Sequence, residues 1–133
     1  MRCSLHFILA GLVMAGFAQS ARGAEMTATE IKELVTGNTV YLELNAGAAA
    51  GAGQGAIHFG AEGKATFKTP SGPIWDGPWT MKENTVCIDW KQLSNNPCTK
   101  YEKQDSTITL INMATGKPRG KIVKVTPGNP EKL

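Results

Sequence analysis

The chain has 133 residues with 14 basic and 11 acidic side chains, but Arg2 and Arg22 lie in a leader expected to be removed, which leaves 12 bases against 11 acids. So balanced a protein lacks the basic excess that draws proteins to nucleic acid or to anionic membrane, and neither is expected as a partner. The roughly 110 residues after the leader fit one domain with one core.

The leader comes first. Met1 and Arg2 give a positive start, Phe7 to Phe17 is an apolar run too short to span a bilayer, and the small-residue segment AQSARGA follows. This is the pattern of a secretory signal peptide, assigned to residues 1–23. Cleavage after Ala18, Ser20 or Gly23 satisfies the small-residue rule equally, and Ala24 is taken as the mature start. Cys3 precedes the apolar run and so cannot serve as a lipoprotein-type acceptor; it leaves with the leader, as does His6. With no second apolar span to anchor it, the protein is expected in the periplasm or outside the cell, without stable membrane insertion.

TATEIKELVTG, residues 27–37, predicts one short helix. Thr27 is placed to cap it, Glu30 lies three residues on in capping-box spacing, and Gly37 offers a left-handed exit. Ile31, Leu34 and Val35 share one face. An isolated helix this short is marginal in water, so that face must dock on something larger.

The rest reads as strands. In NTVYLEL, Val40, Leu42 and Leu44 alternate with Thr39, Tyr41 and Glu43, the pattern of a half-buried strand. The tract NAGAAAGAGQGA, residues 45–56, has almost no side-chain surface to bury and reads as a flexible loop, the alternative being that its small residues let another backbone or a ligand come close. AIHFG and ATFKT form a hairpin through AEGK, and TPSGPIWDGP is a Pro/Gly-punctuated connection. WTMKE, TVCIDWK, CTKYEK, STITLIN and GKIVKVT complete the series.

The expected fold is therefore mainly β: a small antiparallel β-barrel or sandwich of about 7–8 short strands with one short N-terminal helix. Strands do not alternate with long helices, which disfavours a doubly wound nucleotide fold. Lys117, Arg119, Lys121 and Lys124 crowd the last strand and read as a solvated edge protected by its charges, with an anion-binding face as the alternative.

Cys87 and Cys98 are the only thiols after the leader, and export carries them to a compartment where disulfides persist. They sit on successive strands joined by KQLSNNP, so a cross-hairpin bridge is expected. It would close a loop of about a dozen residues and stabilise the fold by on the order of 3 kcal/mol. A catalytic thiol would need a base, and the only histidine after the leader is His58. These residues lack the spacing of a zinc site, and the cysteines are too far apart for a redox motif, so no metal and no cofactor is expected.

Asp76 and Asp89 each lie beside a tryptophan, where burial could raise a carboxyl pKa and make an acid catalyst. WDG nevertheless reads first as a turn in which the aspartate accepts backbone N–H bonds, and no convergent cluster points to an enzyme. Trp75, Trp79, Trp90, Tyr41, Tyr101, Phe59 and Phe67 fall in or beside the strands, where they either fill a barrel or line its mouth as a binding platform. Trp75 stands out because it lies in the Pro/Gly-rich connection. His58 joins Trp75, Trp79, Trp90, Tyr41 and Tyr101 as a candidate contact, being the only mature side chain that normally titrates near neutral pH.

EIKELVTGNTV at the start, GPWTM, VCIDW, PCTKY and the ending KVTPGNPEKL together resemble a family of small exported bacterial proteins classed as a domain of unknown function. Its pattern of Gly-x-Trp, Cys-x-x-Trp, a second Cys and a Gly-Asn-Pro tail falls here on Gly77 or Pro78 before Trp79, on Cys87 and Trp90, on Cys98, and on Pro127 to Pro130. The resemblance covers the mature chain and departs from the pattern in an enlarged 45–56 tract. It implies an envelope location, a β-rich fold and a disulfide, and carries no activity.

Three functions compete. The first is a non-catalytic binding or accessory module taking a small apolar molecule or an envelope protein at the barrel mouth. The second is a structural, stress-related or inhibitory envelope protein presenting the loop 70–78. The third is a small hydrolase using Asp76, Asp89 or His58. An internal cavity lined by aromatics favours the first, a packed barrel with an exposed Trp75 loop the second, and carboxylates converging on His58 the third.

Overall fold

The computed structural model describes residues 23–133. Residues 1–22 of the expected signal peptide, with two of its three cleavage points and Cys3, lie outside the described residues. In chain order the elements are β1 (Ala24–Glu25), α1 (Ala28–Val35), β2 (Asn38–Leu44), β3 (Gly53–Phe59), β4 (Lys64–Lys68), β5 (Ile74–Lys82), β6 (Thr85–Ile88), β7 (Thr99–Gln104), β8 (Thr107–Asn112) and β9 (Pro118–Pro127).

The strands follow the order β1-β7-β6-β5-β4-β3-β2-β9-β8, and β7 also pairs with β8. Strands β2 to β9 thus close into an eight-stranded antiparallel barrel, which leaves no long free edge. β1 is the extra strand. β6 occupies one edge of β7 at Thr99 and Lys100, and β1 takes over that edge at Glu102 and Lys103.

Period-two patterning decides what faces in. Val40, Leu42 and Leu44 of β2, Ile57 and Phe59 of β3, Ala65 and Phe67 of β4, Val86 of β6, and Ile108 and Leu110 of β8 form the buried core. Glu43, Lys64, Lys68 and Lys121 stand exposed on the outer wall. No described helix is long and apolar enough to cross a membrane.

Helix α1 closes one end. Thr27 Oγ1 accepts from the Glu30 N–H at 3.2 Å, and the Glu30 carboxylate accepts from the Thr27 N–H at 3.2 Å, completing the capping box. The Thr27 N–H and hydroxyl both donate to the Glu30 carboxylate and hold its carboxyl below its ordinary pKa. Ile31 and Val35 are fully buried against the barrel, so the apolar face docks as the spacing requires. The Ala28 N–H donates to Asn84 Oδ1 in the β5–β6 turn at 2.9 Å, and the Gly37 N–H donates to the Phe59 carbonyl at 2.6 Å. Gly37 makes the exit with φ of 74°.

Three sequence expectations change. The 45–56 tract is loop only as far as Ala52, because Gly53 to Ala56 belong to β3, paired with β2 on one side and, at Ala56, with β4 on the other. The connection 69–78 is likewise strand from Ile74 onward, since β5 pairs with β4 over Ile74–Pro78. Only residues 69–73 remain as a turn, tied by the Thr69 hydroxyl donating to the Pro73 carbonyl at 2.6 Å. β9 is not an edge, because it is paired with β2 and with β8.

Candidate ligand cavity at the open end of the barrel

The two ends differ because the hairpin connections alternate. Short turns and α1 lie at one end, and the longer connections 45–52, 69–73, 89–98 and 113–117 gather at the other. At the closed end Trp79 fills the interior. Its indole N–H donates to the Gly60 carbonyl at 2.9 Å, and its ring meets Phe59 edge-on at 5.4 Å between centroids. At the open end the interior is not filled, and a cavity of about 420 Å³ remains.

The wall of the cavity is mostly apolar. Leu42, Ile57, Val86, Ile88 and Leu110 project from the strands, and Phe67, Trp75 and Trp90 form an aromatic group on one side. Phe67 lies 6.0 Å from Trp75 and 5.4 Å from Trp90, and the two indoles are 6.3 Å apart. Gly55 makes room for the group, because a Cβ there would sit 2.7 Å from the Phe67 ring. At Gly55 the missing side chain also lets the Lys68 backbone carbonyl come close, as the alternative reading of that segment expects of its small residues.

The loops over the mouth are held by specific bonds. Ala48 N–H donates to the Asn45 carbonyl and Gly51 N–H to the Ala48 carbonyl, so the Gly/Ala segment folds as successive turns. The Ser71 hydroxyl pins it by donating to the Ala50 carbonyl at 3.0 Å. Across the mouth, the Asn96 side chain accepts from the Trp90 N–H at 3.2 Å and donates to the Trp90 and Leu93 carbonyls. Cys87 and Cys98 are bonded with their Cα atoms 4.3 Å apart, at the end of the β6–β7 pairing, and close this loop at its base.

Polar residues make up about a third of the lining, among them Asn45, Asn96, Asn112, Thr99 and Arg119. Arg119, the only arginine after the leader, is half-buried and donates to Thr99 Oγ1 at 3.1 Å. It reaches the interior because β9 bulges there: Leu110 pairs with Gly120 and Ile111 with Pro118, so Arg119 is the extra residue opposite β8. Burial lowers its pKa, partly offset by Tyr101 beside it. Tyr101 is 3% exposed, and burial pushes its phenol pKa well up.

Of the six sequence candidates, the structure brings Trp75, Trp90 and Tyr101 together around the cavity and places Trp79, Tyr41 and His58 elsewhere. Trp79 is at the closed end. Tyr41 and His58 face outward beneath the C-terminal tail: Tyr41 donates to Glu131 at 2.8 Å, and His58 Nδ1 lies 3.3 Å from the Thr39 hydroxyl, which donates to the Gly128 carbonyl. The Pro-Gly-Asn-Pro motif thus serves as a clasp on the outer wall of β2. Arg119 and Thr99 are contacts that sequence reasoning did not assign; the signal available was that one arginine stands among eleven mature lysines.

The carboxylates do not converge. Asp76 points outward and accepts from Lys91 at 3.0 Å and Gln92 at 3.1 Å, contacts that hold its carboxyl below the usual range, opposite to what a general acid needs. Asp89 accepts from Asn96 at 3.1 Å. No group of His, Cys, Asp or Glu among the described residues could hold a metal ion. No protein family model, no curated protein and no solved structure matches the chain.

Proposed function

We propose that this is a non-catalytic binding protein of the bacterial envelope that holds a small apolar molecule inside its barrel. The observation that carries the reading is the cavity: a closed barrel, packed at the helix end, keeps about 420 Å³ open at the other and lines it with Phe67, Trp75 and Trp90. A few hundred Å³ with a mostly apolar, partly aromatic wall and polar groups that can orient a ligand is the ordinary form of a small-molecule site. The leader, the motif resemblance and the disulfide support a periplasmic or secreted location.

An envelope protein as partner is the second reading, supported by Ile74 and Met113, which are 51% and 48% exposed at the same mouth. Loop presentation in the inhibitor manner is less favoured, because residues 74–78 are bound into β5.

Intact mass of the processed protein, purified without denaturant or reductant, tests the reading. Native ionisation is expected to show a retained small molecule that denaturing ionisation releases. A clean disulfide-bonded mass, together with no tryptophan fluorescence response to apolar probes, would sink it and turn attention to a protein partner.

A further inference from the structure

The polar end of the cavity is built for charge of one sign. Arg119 and Lys117 are the charged residues along its lining, and no Asp or Glu among the described residues joins them. Lys117 is exposed at the mouth and solvated, whereas Arg119 reaches inside. Its guanidinium has five N–H donors, and Thr99 is its one hydrogen-bond acceptor among the described residues. A cation taken out of water without a counter-charge costs free energy that an anionic ligand can recover.

Tyr101 supplies the second observation. Its hydroxyl has no hydrogen-bond partner among the described residues and yet is not sealed off, since every enclosed side-chain oxygen or nitrogen there has a partner. The space it meets is the cavity. An unused donor on a side chain that is 3% exposed, next to an under-used guanidinium, makes a two-point receptor for a planar oxyanion.

We infer that the ligand is a small amphipathic monocarboxylate, its carboxylate seated on Arg119 and Tyr101 and its apolar body lying along Phe67, Trp75 and Trp90. This rests on the apolar-binding reading and adds the head group to it. Arg119 is the one cation of the lining that reaches inside, which matches a single negative charge and favours a carboxylate over a phosphate dianion. Thr99 acts as the positioning residue, holding the guanidinium toward Tyr101.

Decanoate and 1-decanol share a chain and differ in the head group, so titrating both against tryptophan fluorescence of the processed protein separates the two layers. Decanoate is expected to bind at least about tenfold more tightly than decanol. Arg119→Gln is expected to bring decanoate down to the level of decanol while leaving decanol within about twofold, and Tyr101→Phe to cost decanoate about threefold or more. Equal binding of both probes by the unaltered protein, or a preference that survives Arg119→Gln, would overturn the carboxylate site and leave apolar binding standing. Failure of both probes to bind would remove the apolar reading and this inference with it. Should Arg119→Gln not fold, the preference of the unaltered protein and its change in Tyr101→Phe, which deletes one oxygen, decide the matter.

Discussion

Arg119 is tethered to Thr99 by one hydrogen bond of 3.1 Å, and the bulge in β9 turns it inward where strict alternation would not. The position of this cation is therefore set by strand geometry rather than by a counter-charge. Arg119→Met deletes a desolvated charge and replaces it with a flexible apolar chain. The ligand-free variant is expected to be as stable as the parent or more stable by about 1 kcal/mol, measured by denaturant unfolding. A loss of more than about 1 kcal/mol would identify the guanidinium as a structural brace.

The disulfide ties the ends of the longest connection at the mouth, with Cys87 and Cys98 one step beyond the Val86–Thr99 pair. Freed thiols would let residues 88–97 open and would restore loop entropy to the unfolded chain. Replacing both cysteines by alanine is expected to cost about 3 kcal/mol and to lower the melting temperature by on the order of 15 °C. Calorimetry of the double variant checks this, and an unmoved transition would show that the bridge does not stabilise the fold.

Two tyrosines report alkaline titration separately. Both have raised pKa values: Tyr101 because burial opposes the phenolate, and outward-facing Tyr41 because its hydroxyl donates to Glu131. For Tyr101 the folded pKa lies above the unfolded value of about 10, so its stabilising contribution is whole below that pH and is lost as pH rises beyond it. Tyrosinate absorbance is expected to rise first from Tyr41 with the fold intact, and then from Tyr101 as the barrel opens. Tyr101→Phe should abolish the second phase, whereas reversible ionisation of both residues together near pH 10 in the folded protein would contradict the burial.

Local patterns carried the fold because each element was specified by its own residues. Thr27 and Glu30 formed the capping box that their spacing announces, and NTVYLEL became β2 over its whole length. The cysteines met because they lie one step beyond the last residue pair of two strands that pair. What stayed illegible depended on contacts distant in the chain. Trp75 and Trp90 converge on Phe67 only once β4, β5 and the loop after β6 are side by side, and no periodicity announces that. Arg119 was read as surface because three lysines surround it, and a bulge of one residue moved it inside. Tyr41 and His58 could be assigned outward by alternation, but the tail that covers them arrives from about ninety residues away.

Gly120 tests whether the bulge depends on a close crossing of strands. It follows Arg119 and pairs with Leu44, and a Cβ at this position would run into the carbonyl oxygen of Glu43, which is backbone and cannot swing aside. Gly116, in the preceding turn, has φ of 70° and open space around it, so alanine there meets only backbone strain of about 1 kcal/mol. Gly120→Ala must instead push β9 off β2 and is expected to cost about 1–3 kcal/mol, the larger loss of the two. Because the displaced segment carries Arg119, the folded fraction of Gly120→Ala should also lose preference for decanoate over decanol, while Gly116→Ala should keep it. Paired urea unfolding and probe titration distinguish these outcomes, and equal stability of the two variants would show that β9 can shift without disturbing the barrel.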